Sequence, residues 1–263
     1  MGVWRETVNL FEKEWKPGSE VEDYVVKSLL GQGSYGTAYL VENNTDGRLA
    51  VLKRLRPYKR LIDPAGKLLK KEADILASLE SGHFPKLISS GRKDKVPYLI
   101  MEFFEGKTVD QLIFEEGKSF NEKEALIIVR EIVQIISLLH DKGIVHRDLR
   151  IPNVILSGGS LKIIDFGLAA EMESNHSDTS KHKDHMREKS VRADFYAVGH
   201  FLLFLLYSSY KSDEKKERSW EEELELCPLT KGILRRLLQI EKPFDGCSEL
   251  IRSLERAIQK IQT

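Results

Sequence analysis

Cysteine is scarce: Cys227 and Cys247 are the only two in 263 residues. Two thiols in a chain of this length cannot staple a fold, so a disulfide scaffold is excluded and a reducing cytosol is the expected compartment. Net charge is absent as well, because 41 basic and 41 acidic side chains cancel. Nothing in that balance advertises nucleic acid or an anionic membrane as a partner. Long apolar runs are missing too; the longest, Phe201 to Tyr207, is too short to span a bilayer. The amino terminus has no signal-peptide apolar region, and Glu6 stands where an N-myristoylation signal needs Ser or Thr. Internal repeats are also lacking. What remains is a soluble, intracellular profile: 31% charged side chains on a chain of 263 residues, large enough to bury a sizeable core.

The informative residues concentrate between His146 and Gly167, which read His-Arg-Asp-Leu-Arg-Ile-Pro-Asn-Val-Ile-Leu-Ser-Gly-Gly-Ser-Leu-Lys-Ile-Ile-Asp-Phe-Gly. Two apolar runs, Val154 to Leu156 and Leu161 to Ile164, flank Gly158-Gly159. A tight hairpin is expected, with polar groups gathered at one edge. Asp148, Asn153 and Asp165 fall there. Such oxygen-bearing side chains suit a hard cation such as Mg²⁺, which takes one or two carboxylates plus the phosphates of a substrate. Singly, an Asp or Asn beside a strand is a turn former or a cap. Together they make a more specific pattern: H-R-D-L-x-x-x-N, a short hairpin, then D-F-G, which resembles the signature of the protein kinases.

Residues 1 to 20 form a charged leader with no clear period. From Tyr24 to Leu30 a β-prone run then enters Gly31-Gln32-Gly33-Ser34-Tyr35-Gly36. G-x-G-x-x-G alone also fits a dinucleotide-binding turn. That unit needs a helix next, whereas Thr37 to Val41 and Leu49 to Leu55 both pattern as strands around a turn at 43–47. The order strand, glycine loop, strand resembles the lid over the ATP phosphates in kinases. Alternation puts Lys53 on one face with Leu49, Val51 and Leu55. Asp63-Pro64 is expected to open a helix whose buried stripe is Leu68, Glu72, Ile75 and Leu79. A lysine and a glutamate each aimed at apolar surroundings make sense as a pair, since a desolvated carboxylate needs a cation. In the kinase resemblance this is the strand lysine and helix glutamate that set the phosphate-binding amine.

Tyr98 to Gly106 is an apolar strand running into a turn and resembles the kinase hinge, with Met101 at the gatekeeper position. Asn121 is expected to cap a helix with Ala125, Ile128, Ile132, Ile135, Ile136 and Leu139 inward, ending at His140. Residues 171–192 are polar and without apolar period, so an exposed loop is expected. His176, His182 and His185 in it lack the tight spacing of a metal site. The Ala-Pro-Glu that closes this segment in most kinases is missing. Asp194-Phe-Tyr-Ala-Val-Gly199 follows at once and resembles the opening of the buried helix of the large lobe, here continuing to Tyr207. Lys211 to Glu225 is a charged connector, and Thr230 to Ile240 and Ser248 to Ile261 pattern as amphipathic helices, the latter with Leu250, Ile251, Leu254, Ala257, Ile258 and Ile261 inward.

The resemblance covers residues 24 to 261 and is closest to the small soluble bacterial serine/threonine kinases. It implies an α+β, bilobal fold: a leader (1–23), a small lobe with antiparallel sheet, glycine loop and hinge (24–104), and a mainly helical large lobe with a shortened activation segment (105–263). It implies ATP and Mg²⁺ as cofactors. Asp148 would be the base, with Lys53, Glu72, Asn153 and Arg150 completing the catalytic set, and Asn153 and Asp165 the metal ligands. The nucleotide would meet Leu30, Gly31, Gly33, Ser34, Gly36, Ala38, Val51, Lys53, Met101, Glu102, Phe104, Ile155 and Asp165. Arg150 replaces the Lys usual two residues after the base in serine/threonine kinases, which leaves tyrosine open as acceptor. Arg147 before the base resembles kinases switched on by loop phosphorylation, making Ser174, Ser177, Thr179, Ser180 and Ser190 candidate autophosphorylation sites and a transient self-association a candidate step. A protein substrate is the implied partner, with no nucleic acid and no membrane. A nucleotide-binding pseudokinase scaffold and a small-molecule kinase on the same fold are the alternatives.

Overall fold

In the computed structural model, residues 15–33, 36–56, 59, 62–172, 188–210 and 218–261 are described. The backbone divides into two units, Met1–Glu105 and Gly106–Thr263.

The first unit is built on β-branched, alternating runs. Strands β1 (Glu20–Val21), β2 (Tyr24–Gln32), β3 (Gly36–Asn43), β4 (Leu49–Leu55), β5 (Leu87–Lys93) and β6 (Val96–Glu102) form one antiparallel sheet in the order β1-β2-β3-β4-β6-β5. One face carries Tyr39, Val41, Ala50, Leu52, Tyr98 and Ile100, and buries them with Val21, Tyr24 and Val26. Trp15 packs on this cluster, its ring 6.1 Å from that of Tyr39 and 5.0 Å from the Arg54 guanidinium. The sheet therefore begins before residue 24: the end of the expected leader is folded in, because Val21 and Trp15 supply apolar cover that a charged leader would not.

Helix α1 (Lys67–Ser78) packs beside β5 and β6. It starts later than expected. Asp63 does cap it, accepting from the amides of Lys67 and Leu68 at 2.9 Å each, but across a turn ending at Gly66 rather than as the residue next to the helix. Glu72, Ile75 and Leu79 are buried as the expected stripe has them, joined by Leu69, Ala73 and Leu76, whereas Leu68 is exposed.

The second unit is mainly helical: β7 (Lys107–Thr108), α2 (Val109–Phe114), α3 (Glu122–His140), β8 (Ile144–Val145), a 3-10 turn (Ile151–Asn153), β9 (Val154–Ser157), β10 (Ser160–Ile163), β11 (Ala170–Glu171), α4 (Val191–Tyr207), α5 (Trp220–Glu223), α6 (Pro228–Leu237) and α7 (Cys247–Lys260). Asn121 and Glu124 form the reciprocal cap that starts α3. Val129, Ile132, Val133 and Ile136 of α3 are fully buried, while Ile128, expected inward, is only half-buried. α4 is apolar nearly all round and packs on α3 and α6, as a central helix must. In α7, Leu250, Leu254, Ala257 and Ile258 are buried, but Ile251 and Ile261 are half-buried, short of the inward face expected of them. The expected charged connector contains α5, whose Ser219–Glu222 reciprocal cap gives it a defined start. No helix among the described residues is long and apolar enough to cross a membrane.

Candidate active site

In the first unit, β3, β4 and β6 run side by side, and directly opposed residues share a face. Ala38 lies opposite Lys53 and Leu40 opposite Val51; Lys53 lies opposite Leu99 and Val51 opposite Met101. Ala38, Val51, Lys53 and Met101 therefore line one face, and the Trp15 cluster occupies the other. Lys53 reaches from this face to helix α1, where Glu72 receives it at 2.8 Å and 2.9 Å through its two oxygens. Both side chains are nearly removed from water, 11% and 2% exposed. An ion pair this dry gains little net stability, since desolvation offsets the attraction, but removing one partner strands a charge at a cost of about 3–5 kcal/mol. Its effect is to fix the amine.

Gly33 and Gly36 close the glycine turn, the Gly33 amide donating to the Gly36 carbonyl at 3.0 Å. Arg56 donates to the Gly33 carbonyl at 3.1 Å, a tether not anticipated from sequence. Ser34 lies outside the described residues. Leu30 is exposed, and Gly31 sits in β2 opposite Ala38. At the position expected for the hinge, the Glu102 amide donates to the Lys86 carbonyl at 2.9 Å, so the donor half of the Glu102 backbone is committed to the protein itself. Phe104 is half-buried just beyond.

In the second unit, the hairpin forms as expected. Ser157 pairs with Ser160 across Gly158-Gly159, whose φ values of 55° and 79° are those of a two-residue turn open to glycine. Ile155 lies on β9, buried. At the head of the hairpin, Asn153 donates through Nδ2 to the Asp148 carbonyl at 2.8 Å and to Asp148 Oδ2 at 2.9 Å. The Asn153 carbonyl accepts the Ile164 amide at 2.9 Å, which brings the residue before Asp165 onto the same turn. Arg150 grips Asp148 with two prongs, Nε to Oδ1 at 2.7 Å and Nη2 to Oδ2 at 3.1 Å.

His146 supports this loop from beneath. It is buried, stacked edge-on to Phe166 at 4.9 Å. Its Nδ1 accepts the Asp148 amide at 3.2 Å, which requires Nδ1 to be bare; the ring proton then sits on Nε2, 3.2 Å from the Ile164 carbonyl. Burial pushes the His146 pKa down against the opposing pull of Asp194, Asp165 and Asp148. The ring is thus a neutral spacer joining the two motifs.

The protein kinase domain family matches residues 24–227. The chain belongs to the protein kinase family. YbdM of Bacillus subtilis (strain 168), a probable serine/threonine-protein kinase, is 35% identical over 255 residues, covering 96% of this chain and 96% of YbdM. PknB of Lactococcus lactis, also a probable serine/threonine-protein kinase, is 30% identical over 70% of this chain, a match that spans 31% of PknB. Among solved structures, the PknI kinase domain of Mycobacterium tuberculosis superposes with a TM-score of 0.73 over 93% of this chain and 99% of that one; at 20% identity the likeness is one of fold.

Two residues of this kinase carry no sequence signal that marks them as parts of the site. Asp194, fully buried in the first turn of α4, accepts the amides of His146 at 2.9 Å and Arg147 at 2.7 Å. His140, expected only as a helix end, sends Nε2 to Asp194 Oδ2 at 2.9 Å. Asp194 has a signal in its Asp-Phe-Tyr-Ala-Val-Gly run, but only as a helix opening. Ser190 needs correction in the other direction. It is 6% exposed, and its hydroxyl donates to Glu188 at 3.1 Å, so it is not the exposed candidate for phosphorylation that was expected. Ser174, Ser177, Thr179, Ser180 and the three loop histidines lie outside the described residues.

Proposed function

We propose that the chain transfers the γ-phosphoryl group of MgATP to a serine or threonine hydroxyl of a protein. The observation that carries this reading is the state of the Asp148 carboxylate. A carboxylate offers about four lone-pair sites; Oδ2 is filled by Arg150 and Asn153, whereas Oδ1 takes one donor among the described residues, from Arg150. Oδ1 is therefore the atom with room for an acceptor hydroxyl. It takes that proton as the hydroxyl oxygen bonds to the γ-phosphorus and the bond to the ADP oxygen breaks. Most of the acceleration is positioning and charge stabilisation, because phosphoryl transfer asks for little covalent chemistry from the protein.

The donor set fits a hard cation. Asn153 spends its Nδ2 on Asp148, which turns its oxygen to the role of ligand, and the Asp165 carboxylate is the second. Asn153 and Asp165 would hold Mg²⁺, which would supply charge neutralisation at the phosphates. Lys53, fixed by Glu72, takes the α- and β-phosphates. The relatives named serine/threonine kinases support that acceptor class over tyrosine. Autophosphorylation between 171 and 187, requiring transient self-association, and a cytoplasmic location complete the reading.

The test is labelled MgATP with the wild type and Asp148→Asn, offered both a generic protein acceptor and small alcohols. Transfer to Ser or Thr that vanishes in the variant, with nucleotide binding retained, supports the reading. Nucleotide binding without transfer in the wild type would make the chain a scaffold, and transfer to alcohols alone would make it a small-molecule kinase.

A further inference from the structure

The last helix of the chain reaches the catalytic loop through a short relay. Cys247, the first residue of α7, places its sulfur 3.3 Å from His140 Nδ1. His140 Nε2 lies 2.9 Å from Asp194 Oδ2. Asp194 in turn holds the amides of His146 and Arg147. Arg147 has φ of 66°, in the left-handed region where a side chain costs about 1–2 kcal/mol. The next residue is Asp148. A strained backbone of this kind persists only where its surroundings over-determine it, and here the Arg147 amide and the one before it are fixed by one carboxylate.

We infer that Cys247 is a positioning residue for phosphoryl transfer: its thiol donates to His140 Nδ1, satisfying the bare nitrogen of the ring whose Nε2 proton holds Asp194 on the catalytic loop. The donor logic leads there step by step. Asp194 is an acceptor toward His140, so the ring proton must sit on Nε2, and Nδ1 of that tautomer needs a donor. The Cys247 thiol meets Nδ1 and can answer, and the acidic groups around that thiol are Asp194 and Asp141. Burial first, then those two carboxylates, push the thiol pKa up to about 12. The sulfur keeps its proton at neutral pH and is able to donate it. Phe195, edge-on to the ring at 6.0 Å, limits its rotation. The inference rests on the proposed reaction only for its effect on rate; the tautomer is a property of the folded protein alone.

The experiment compares wild type, Cys247→Ser and Cys247→Ala, each first checked by thermal unfolding. Nitrogen-15 spectra of the histidine rings report the His140 tautomer, and phosphoryl transfer reports kcat and KM for ATP. A hydrogen bond of about 0.5–1.5 kcal/mol corresponds to about a two- to tenfold change. Cys247→Ala should leave His140 Nδ1 without its donor, shifting the signal of that nitrogen, and lower kcat about two- to tenfold with KM for ATP unchanged, and Cys247→Ser, which keeps a donor, should restore both. A His140 signal in Cys247→Ala identical to wild type, or a serine variant that falls as far as the alanine one, overturns the inference. If Cys247→Ala does not fold, the serine variant and the wild-type tautomer decide it, because a wild-type ring protonated on Nδ1 contradicts it directly. A wild type that transfers no phosphate would instead remove the proposed reaction while leaving the tautomer to judge the relay.

Discussion

Replacing Gly36 by alanine tests how Lys53 is placed. A Cβ on Gly36 would stand 2.9 Å from the Arg54 carbonyl oxygen, 3.1 Å from Lys53 Cγ and 3.3 Å from Lys53 Cε. The carbonyl belongs to the paired backbone of β4 and cannot retreat, so relief must come from the lysine stem. That stem is pinned at its far end, where Nζ meets both oxygens of Glu72 at 2.8 Å and 2.9 Å. Either the sheet edge opens or the amine leaves its partner. Overpacking of this kind costs about 1–3 kcal/mol, and at about 2–4 °C per kcal/mol for a chain of this size the melting temperature should fall by about 4–8 °C for a cost near 2 kcal/mol. MgATP affinity should weaken by about tenfold for each 1.4 kcal/mol of phosphate binding that the displaced amine ceases to supply. The control is Gly31→Ala, where an added Cβ meets nothing within 4 Å; its melting temperature should match the wild type. Differential scanning calorimetry and nucleotide titration read both quantities. Equal melting and equal affinity for Gly36→Ala and wild type, or an equal fall for both glycine variants, would refute the argument.

Arg150→Lys keeps the charge but cannot reproduce the two-pronged grip on Asp148. Steady-state assays should show kcat lowered by about tenfold, with ATP affinity little changed; an unaltered kcat would mean that the fork does not orient the base. His146 makes a pH prediction. Its folded pKa lies below the ordinary 6.5, so the unfolded chain takes up a proton near that pH that the folded ring refuses. Its contribution to stability is intact above about pH 6.5 and declines as pH falls, by at most about 1.4 kcal/mol per unit for one proton. Denaturant midpoints between pH 5 and 7, with NMR titration of the ring, check this, and a His146 that titrates at or above 6.5 contradicts it.

The sequence is most legible where a local rule and the tertiary demand agree. Leu49–Leu55 alternates as a strand should and is observed with those bounds; Asn121 and Glu124 cap α3; Gly158-Gly159 turns the hairpin. Lys53 and Glu72 are legible as a pair because each is costly alone. Legibility fails where the deciding interaction is remote. Asp194 meets His146 across 48 residues and His140 across 54, while Cys247 meets His140 across 107. No periodicity in either segment encodes such a meeting. The start of α1 is obscured for a subtler reason: Asp63 caps at a distance, over a turn that ends in Gly66 at φ 68°, so a helix opened at Asp63 begins too early and takes in Leu68, which is exposed. The polar neighbours of Ser190 suggest solvent, whereas it lies buried at the start of α4.

The central claim, that Lys53 and Asp165 serve one nucleotide with its divalent ion, is tested most directly by ligand-linked melting of wild type, Lys53→Met and Asp165→Asn. At MgATP about a hundredfold above its dissociation constant, the wild type should gain about 2.7 kcal/mol. Each single variant should lose most of that gain, and the double variant should lose little more than either one. A wild type that MgATP leaves unshifted, or variants whose losses simply add, would contradict the account.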